Sequence, residues 1–527
     1  MVTERYVVFV GFTDQDNLGI GYIASVLLDA GFKPVILDVR LGVNEIRDEI
    51  LNLKPVLVGF SIIFQYHIYQ FRDLVAELRQ SGIRSHFTAG GHYPSLRHEE
   101  LLTLIPDLDS VVLFEGEHTC LELVRALVRG EEWRRIHGLA YLKGGKVVAT
   151  PLRPLEKDLD VFPPPVRPPL REYVLGKKHA TILAGRGCLY DCSFCSIRQF
   201  YSKPPGPLKR LRRPEMVVRE MELLHEQKNC SVFMFQDDDF PLSSSAGRQW
   251  IGEFCRLLER NALGREILWK INCRPDEVDG GLFARMRECG LFLVYLGIEC
   301  GTDSDLKLMN KQMTADVSER NVGLLNHLQI QWDFGFMLFN PDSTYDSILE
   351  NIAFLGRICE DGSSPLTFCK MLPYAETRIE KELAKQGRLK GRPGFLDYDF
   401  VDPTLEDFYV FLAESFNEWV GSREGILNFA RWVRYYLAVA RKYYPATPGL
   451  DSWERRIRAL ISETNRYFLD SVRALTPVFS RGEATQDLWH SRAEEIGQKC
   501  SDYRVRFEGA IRDLEETVGA SVSASAL

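Results

Sequence analysis

Three cysteines fall within eight residues of the stretch GRGCLYDCSFCSI, Gly185–Ile197: Cys188, Cys192 and Cys195, separated by three residues and then two. Gly185 and Gly187 let the backbone bend sharply around a compact object. A structural zinc would want a fourth Cys or His at a similar short spacing, and the nearest histidines, His179 and His225, offer no such pairing. A disulfide would leave an odd thiol and belongs to oxidising compartments. Three thiolates around an iron–sulfur cluster, with one iron left open, suit the spacing best. The remaining nine of the twelve cysteines, Cys230, Cys255 and Cys359 among them, are scattered at helix-like or strand-like positions, where a thiol is usually a small buried hydrophobe.

Charged residues recur at the ends of apolar runs further along. FQDDDF, Phe235–Phe240, follows the strand-like VFMF and carries Asp237 and Asp238; Arg274 follows LWKINC; Glu299 ends LVYLGIE, where an unpaired charge would be costly. From about residue 180 to 375, six strand-like runs alternate with amphipathic helical stretches: TILAGRG, VFMFQDDDF, LWKINCRPD, LVYLGIECG, WDFGFMLFNPD and LTFCKMLPY. That order predicts a parallel β/α barrel, partial or full, with chemistry at the strand ends. Residues 5–130 predict a doubly wound parallel sheet in the same way, from RYVVFVGF, KPVILDV, PVLVGFSI, SHFTAGG and DSVVLFEG. Ligands of such a sheet bind beyond the carboxyl ends of its strands, here the loops TDQDNLG, SIIFQYH and GGHYPS. Five prolines in VFPPPVRPPL, Val161–Leu170, predict an extended linker. Past residue 403 the strand signals stop, and GILNFARWVRYYLAVARKYY sets Trp432, Tyr435 and Val439 at helical spacing, as a helix packed on the barrel would. The expected domains are 1–150, a linker 151–175, a barrel 176–402 and a helical region 403–527.

With 527 residues the chain exceeds one hydrophobic core. Its net charge of −8, 65 basic against 73 acidic residues, gives no sequence-wide attraction to phosphate backbones, so no nucleic-acid partner is expected. MVTERYVVFVGF resembles neither a signal nor a transit peptide, and no run of about 18 apolar residues occurs, so a cytoplasmic location without a membrane span is expected. Only the closing ASVSASAL lacks an apolar pattern and reads as an unstructured tail.

The three-cysteine run, with the aromatic Phe194 just before the last cysteine, resembles the radical S-adenosylmethionine (SAM) enzymes. The resemblance implies a [4Fe-4S] cluster on Cys188, Cys192 and Cys195, whose open iron chelates SAM. It also places Asp237 and Asp238 near the methionine ammonium, in a branch with paired aspartates instead of Gly-Gly-Glu. Glu299, in LGIECGTDSDLKLMNK, would lie near the ribose or methionine, and Arg274 would pair with the methionine carboxylate. LPYAETRI resembles the sixth-strand ending of the same branch. The N-terminal loops are similar to those of cobalamin-binding domains, which show Asp-x-His-x-x-Gly, then Ser-x-Leu, then Gly-Gly. Here these become Asp14-Gln15-Asp16-Asn17-Leu18-Gly19, Ser61-Ile62-Ile63 and Gly90-Gly91, with intervals of 41 and 26 residues between them. The histidine that would bind cobalt from below is replaced by Asp16, as is common where cobalamin and radical SAM domains are joined. If this loop lies under the corrin, Asp16→His should bring nitrogen to cobalt. His67 and His92 also lie in these loops.

Taken together, the chain resembles the cobalamin-dependent radical SAM enzymes. That implies methylation of an unactivated carbon of a small, specialised metabolite through a deoxyadenosyl radical and methylcobalamin, fed by an external flavodoxin- or ferredoxin-type electron donor. Alternatives are a cobalamin radical SAM enzyme that cyclises, contracts or oxidises its substrate, and a non-catalytic cobalamin-binding protein, for which the three cysteines would be superfluous. Methylthiolation of transfer RNA would require further N-terminal cysteines, and residues 1–119 contain none.

Overall fold

The computed structural model describes residues 5–14, 16–421 and 424–525. A first seven-stranded sheet contains β1 (Tyr6–Gly11), β2 (Lys33–Asp38), β3 (Leu57–Ser61), β4 (His86–Gly90), β5 (Ser110–Val112), β6 (Leu139–Lys143) and β7 (Lys146–Ala149), in the order β2-β1-β3-β4-β5-β6-β7. β1 to β5 are parallel, with Phe9 opposite Ile36 and Phe60 opposite Ala89. Their apolar side chains alternate between two cores, as the two-residue strand period requires. Val8, Val10, Val58, Phe60 and Phe87 pack under the helices Val43–Leu53 and Ile68–Gln80. Val7, Phe9 and Leu57 pack under Leu18–Asp29 and Glu117–Arg129. Burial on both faces explains why the strands read as continuous apolar runs. The strand order reverses between β1 and β3, so the loops after those strands open at a topological switch point.

The antiparallel hairpin β6–β7 was not anticipated. Its signal was present in Gly144-Gly145 between two alternating runs, a two-residue turn of the kind that needs positive φ. The proline segment is also more than a spacer. Val166 N–H donates to Gly21 O at 3.0 Å, and Ser25 Oγ donates to Pro163 O at 3.2 Å. A Cβ at Gly21 would lie 2.6 Å from Val166 O, so that glycine serves close packing.

The short strands β8 (Glu172–Val174) and β9 (Lys177–Ile182) come next, followed by β10 (Gly185–Arg186) and β11 (Arg210–Leu211), which pair with each other. β12 (Cys230–Phe235), β13 (Leu268–Cys273), β14 (Leu291–Glu299), β15 (Gln331–Phe339) and β16 (Cys369–Lys370) complete a second sheet in the order β16-β15-β14-β13-β12-β9-β8. It is an open, partial barrel whose six anticipated strands are all present, and β8 adds an antiparallel edge. Trp269 and Phe336 face outer helices, meeting Phe254 and Phe354. On the inner face the helix Ile426–Tyr443 sets Val439 and Tyr435 against Val232, Leu268 and Leu293, the barrel packing expected for its stripe, while Trp432 is 37% exposed. The helices Leu450–Ser480 and Gln486–Ser525 follow. The closing tail is therefore helical through Ser525; Ala526, Leu527 and the side chains from Val522 onward lie outside the described residues. No helix among the described residues is long and apolar enough to cross a membrane.

The chain forms two compact units. One comprises Met1–Leu170, Ala180–Leu224 and Leu372–Asp397, and the other Arg171–His179, His225–Met371 and Tyr398–Leu527. The three-cysteine loop therefore clusters with the N-terminal sheet.

Candidate active site

The cysteine loop leaves β10 through Gly187, whose φ of +88° places the position of a Cβ on the Leu208 carbonyl, so a side chain is excluded there. Cys195 N–H donates to Cys192 O at 3.2 Å, closing a tight turn, and Ser193 O accepts from Ile379 N–H at 3.1 Å. Asp191 pairs with Arg378, fixing the loop's outer edge. Its base is held by buried charge. Arg186 reaches Glu117 at 2.7 Å and Glu115 at 3.2 Å, and Arg210 reaches Glu115 at 2.8 Å. Burial alone would raise the Glu115 pKa, but the hydrogen bond from Arg210 and the charge of Arg186 hold it below the usual range.

Cys188, Cys192 and Cys195 are half-buried, whereas eight of the other nine cysteines are buried. Desolvation pushes the Cys120 thiol up to about 12, the behaviour of an inert core thiol. Among the described residues no three His, Cys, Asp or Glu side chains gather tightly enough to hold a single metal ion. A four-iron cluster asks for something different, one thiolate on each of three irons, and three accessible thiols on one constrained loop are a donor set that fits it.

In the second unit the strand ends carry the other candidates. Asp237 is buried, Asp238 exposed and the neighbouring Asp239 buried. Arg274 is buried, and its guanidinium is already engaged: Nε meets Asp276 at 2.8 Å and Nη2 donates to Lys311 O. Glu299 adopts a φ of +71° beside a register shift in β14, a strained conformation for a residue other than glycine. Its carboxylate lies 3.5 Å from Lys311 Nζ, which also donates to Gly297 O at 2.9 Å. Buried Asp305 accepts from Asn340 and Asn351 at 3.0 Å each, and Asn351 Oδ1 accepts from Gly301 N–H at 2.6 Å, anchoring the segment after Glu299. Lys311 was missed from the sequence because nothing marks a lysine twelve residues past an acid as its partner.

The first unit's loops lie at the carboxyl edge of its sheet. Asp14 is 3.7 Å from Arg40. Asp16, 7% exposed, accepts from Thr181 N–H at 2.8 Å and Thr181 Oγ1 at 3.0 Å, with Arg167 Nε at 3.7 Å. A carboxylate so engaged tethers its loop to Thr181. Asn17 caps the helix Leu18–Asp29 through Ile20 N–H, and its Nδ2 donates to Phe12 O at 3.0 Å and to Ser61 Oγ at 3.4 Å. A Cβ at Gly19 would meet only Asn17 Oδ1, at 3.8 Å. Gly90 O accepts from Ile62 N–H at 2.9 Å, and a Cβ at Gly91, φ +121°, would sit 2.5 Å from Ile62 O. His67 lies tilted against Phe12 with ring centroids 4.3 Å apart, and His92 stacks on Phe200 at 4.3 Å. Ile63, Phe64 and Tyr66 remain 39–46% exposed, with the last two rings stacked. An apolar exposed patch at a ligand-binding edge fits the broad face of a corrin.

The family model of the B12 binding domain matches residues 5–124, and that of the Radical SAM superfamily matches residues 182–355. The chain is 29% identical to an anaerobic magnesium-protoporphyrin IX monomethyl ester cyclase of Rubrivivax gelatinosus, over 73% of this chain and 69% of that protein. It is 27% identical to an uncharacterized methyltransferase of Pyrococcus horikoshii, over 77% of this chain and 86% of that one. In fold it is similar to OxsB, a cobalamin-dependent SAM radical enzyme solved with aqua-cobalamin and SAM bound, with a TM-score of 0.66, 19% identity, and coverage of 98% of this chain and 81% of that one. The two domains in this order set its cofactors as cobalamin, SAM and a [4Fe-4S] cluster, and the chain belongs to the cobalamin-dependent radical SAM enzymes.

Proposed function

We propose that the enzyme transfers a methyl group to an unactivated carbon of a small specialised metabolite. The observation that carries this over other radical outcomes is the likeness to the Pyrococcus methyltransferase, which extends over 86% of that protein's length. The cyclase likeness supports a second reading, a radical outcome without methyl transfer. When bound, the cluster and SAM supply a deoxyadenosyl radical and cobalamin carries the methyl group; an external flavodoxin- or ferredoxin-type donor supplies electrons.

The chain's own contribution is positioning. Cys188, Cys192 and Cys195 hold the cluster on a loop that Gly187 and the Arg186–Glu115 network keep fixed. Asp237 and Asp238 receive the methionine ammonium, and Glu299, held by Lys311, receives the ribose or the methionine. Arg274 holds the Lys311 backbone and so supports that site. Asp14, Asn17, Gly19, Ser61, Ile63, Gly90 and Gly91 border the cobalamin, with Asp16 fixing their loop. The working domains are 1–150, a linker 151–175, 176–402 and 403–527.

The test needs no substrate. Cobalamin-loaded enzyme is incubated with reductant and SAM bearing a trideuterated methyl group. Label on cobalamin together with S-adenosylhomocysteine supports methyl transfer; deoxyadenosine with unlabelled cobalamin favours the second reading.

A further inference from the structure

The inner face of the second sheet carries charge that its own residues do not balance. Along β13 this face presents Lys270 and Asn272, along β14 Leu293, Tyr295, Gly297 and Glu299, and along β15 Gln331, Asp333 and Gly335. The register sets Asn272 beside Tyr295 and Tyr295 beside Asp333. Two charge pairs are closed within this set. Glu299 has Lys311. Asp333 has Arg434 at 2.6 Å and also the Tyr435 hydroxyl, and Arg431 stands further off at 3.7 Å.

Lys270 is left over. It is half-buried, and among the described residues its Nζ makes no hydrogen bond and no ion pair; the Tyr295 ring lies 5.6 Å away. Burial lowers its pKa to about 8, with Asp333 opposing and Arg431 reinforcing the shift. Glu299 and Lys311 cancel, as do Asp333 and Arg434, so Lys270 and Arg431 remain as excess positive charge. A desolvated ammonium without a counter-charge is costly to keep. Nearby glycines bring polar heads down onto this face: a Cβ at Gly335 would lie 3.0 Å from the Tyr295 hydroxyl, and one at Gly297 would lie 2.8 Å from the Glu299 carboxylate.

We propose that this inner face is an oxyanion-recognition surface, in which Lys270, supported by Arg431 and Tyr295 on the same face, binds a carboxylate or phosphate group carried by the substrate. The inference rests on the proposed function only in that the enzyme acts on a substrate, which this face is taken to receive. It is indifferent to whether methyl is transferred.

The test compares wild type, Lys270→Met and Lys270→Arg, each as cluster- and cobalamin-loaded full chain, titrated with inorganic phosphate and with acetate at constant ionic strength. Melting temperature is read for the anions, and calorimetry for SAM. The expected result is saturable stabilisation of wild type and Lys270→Arg by at least one anion, an apparent affinity about 10–100-fold weaker in Lys270→Met, as for loss of a charge-assisted hydrogen bond, and unchanged SAM affinity in all three. Equal anion response in Lys270→Met, or none in wild type, would overturn the proposal. So would SAM affinity falling with the anion response, because Lys270 would then be reading the methionine carboxylate. The labelling test reads methyl transfer separately, so failure of either leaves the other standing.

Discussion

Asp16 occupies the position where a cobalt-binding histidine stands in similar domains, and its carboxylate points at Thr181. Replacing it with alanine removes one acceptor from two donors, at 2.8 and 3.0 Å, and leaves the buried Thr181 N–H without that partner. Losing such a buried, charge-assisted acceptor costs about 2–4 kcal/mol. Arg167 is not orphaned, since it keeps Glu220 at 2.7 Å and the Thr181 carbonyl at 2.8 Å. Asp16 has a φ of +63°, a conformation that aspartate and asparagine tolerate and alanine does not, which adds about 1 kcal/mol. Asp16→Ala should therefore cost about 3–5 kcal/mol and Asp16→Asn, which keeps an acceptor oxygen and the backbone preference, about 1–2 kcal/mol. For a unit of this size each kcal/mol lowers the melting temperature by about 2–4 °C, so the alanine variant should melt roughly 10 °C early. The assay is anaerobic thermal melting of the two variants without added cobalamin. An alanine variant within about 2 °C of wild type, or indistinguishable from the asparagine variant, would refute the tether. Asp16→His gives a second reading: its cobalt(II) resonance should show no nitrogen splitting, and splitting would mean that the side chain turns toward the corrin after all.

Four further outcomes are expected. Cys192→Ala should lose cluster iron and deoxyadenosine formation while the cobalamin absorbance survives; undiminished deoxyadenosine would refute the cluster assignment. Glu299→Gln should leave the fold intact and weaken SAM binding about 10-fold by calorimetry, since it removes the charge opposite Lys311. Arg97 pairs with Glu376 and Glu380, and burial, which would raise the Glu376 pKa, is outweighed by Lys381, Lys203 and Arg97, leaving it lowered. That stability is present above the usual glutamate pKa and is lost as pH falls through the lowered value, so Arg97→Ala should flatten the acid limb of a denaturation profile and cost about 2–3 kcal/mol at neutral pH. Lys270 acts in the alkaline range. The folded state holds fewer protons than the unfolded between pH 8 and the ordinary lysine value, so this group makes stability rise with pH there, while oxyanion binding, which needs the ammonium, weakens above about 8.

What could be read from the sequence was whatever the chain states locally. The cysteine spacing, the apolar runs of both sheets and the strand-end acids Asp237 and Glu299 are each written in a few consecutive residues. What could not be read depended on partners far away in the chain. Asp16 finds Thr181, 165 residues on, and Arg97 finds Glu376 and Glu380 some 280 residues on. The proline run looked like a spacer because its docking depends on the absence of a side chain at Gly21. Lys270 looked like an ordinary strand lysine, since only the fold shows that its potential counter-ion, Asp333, is taken by Arg434.

The first compact unit is assembled from three separate stretches of chain, the last of them Leu372–Asp397. During synthesis the N-terminal sheet emerges first, yet its Gln65 awaits a contact with Ala375 and its Arg97 two acids of the same late stretch. Folding that proceeds as residues emerge therefore cannot close this unit until about three-quarters of the protein has been made, so its early elements must wait in a partly open state. A fragment ending at residue 150 would carry the whole first sheet and still lack the groups that lock it, and its failure to behave as a stable domain would reflect chain connectivity rather than a weak core.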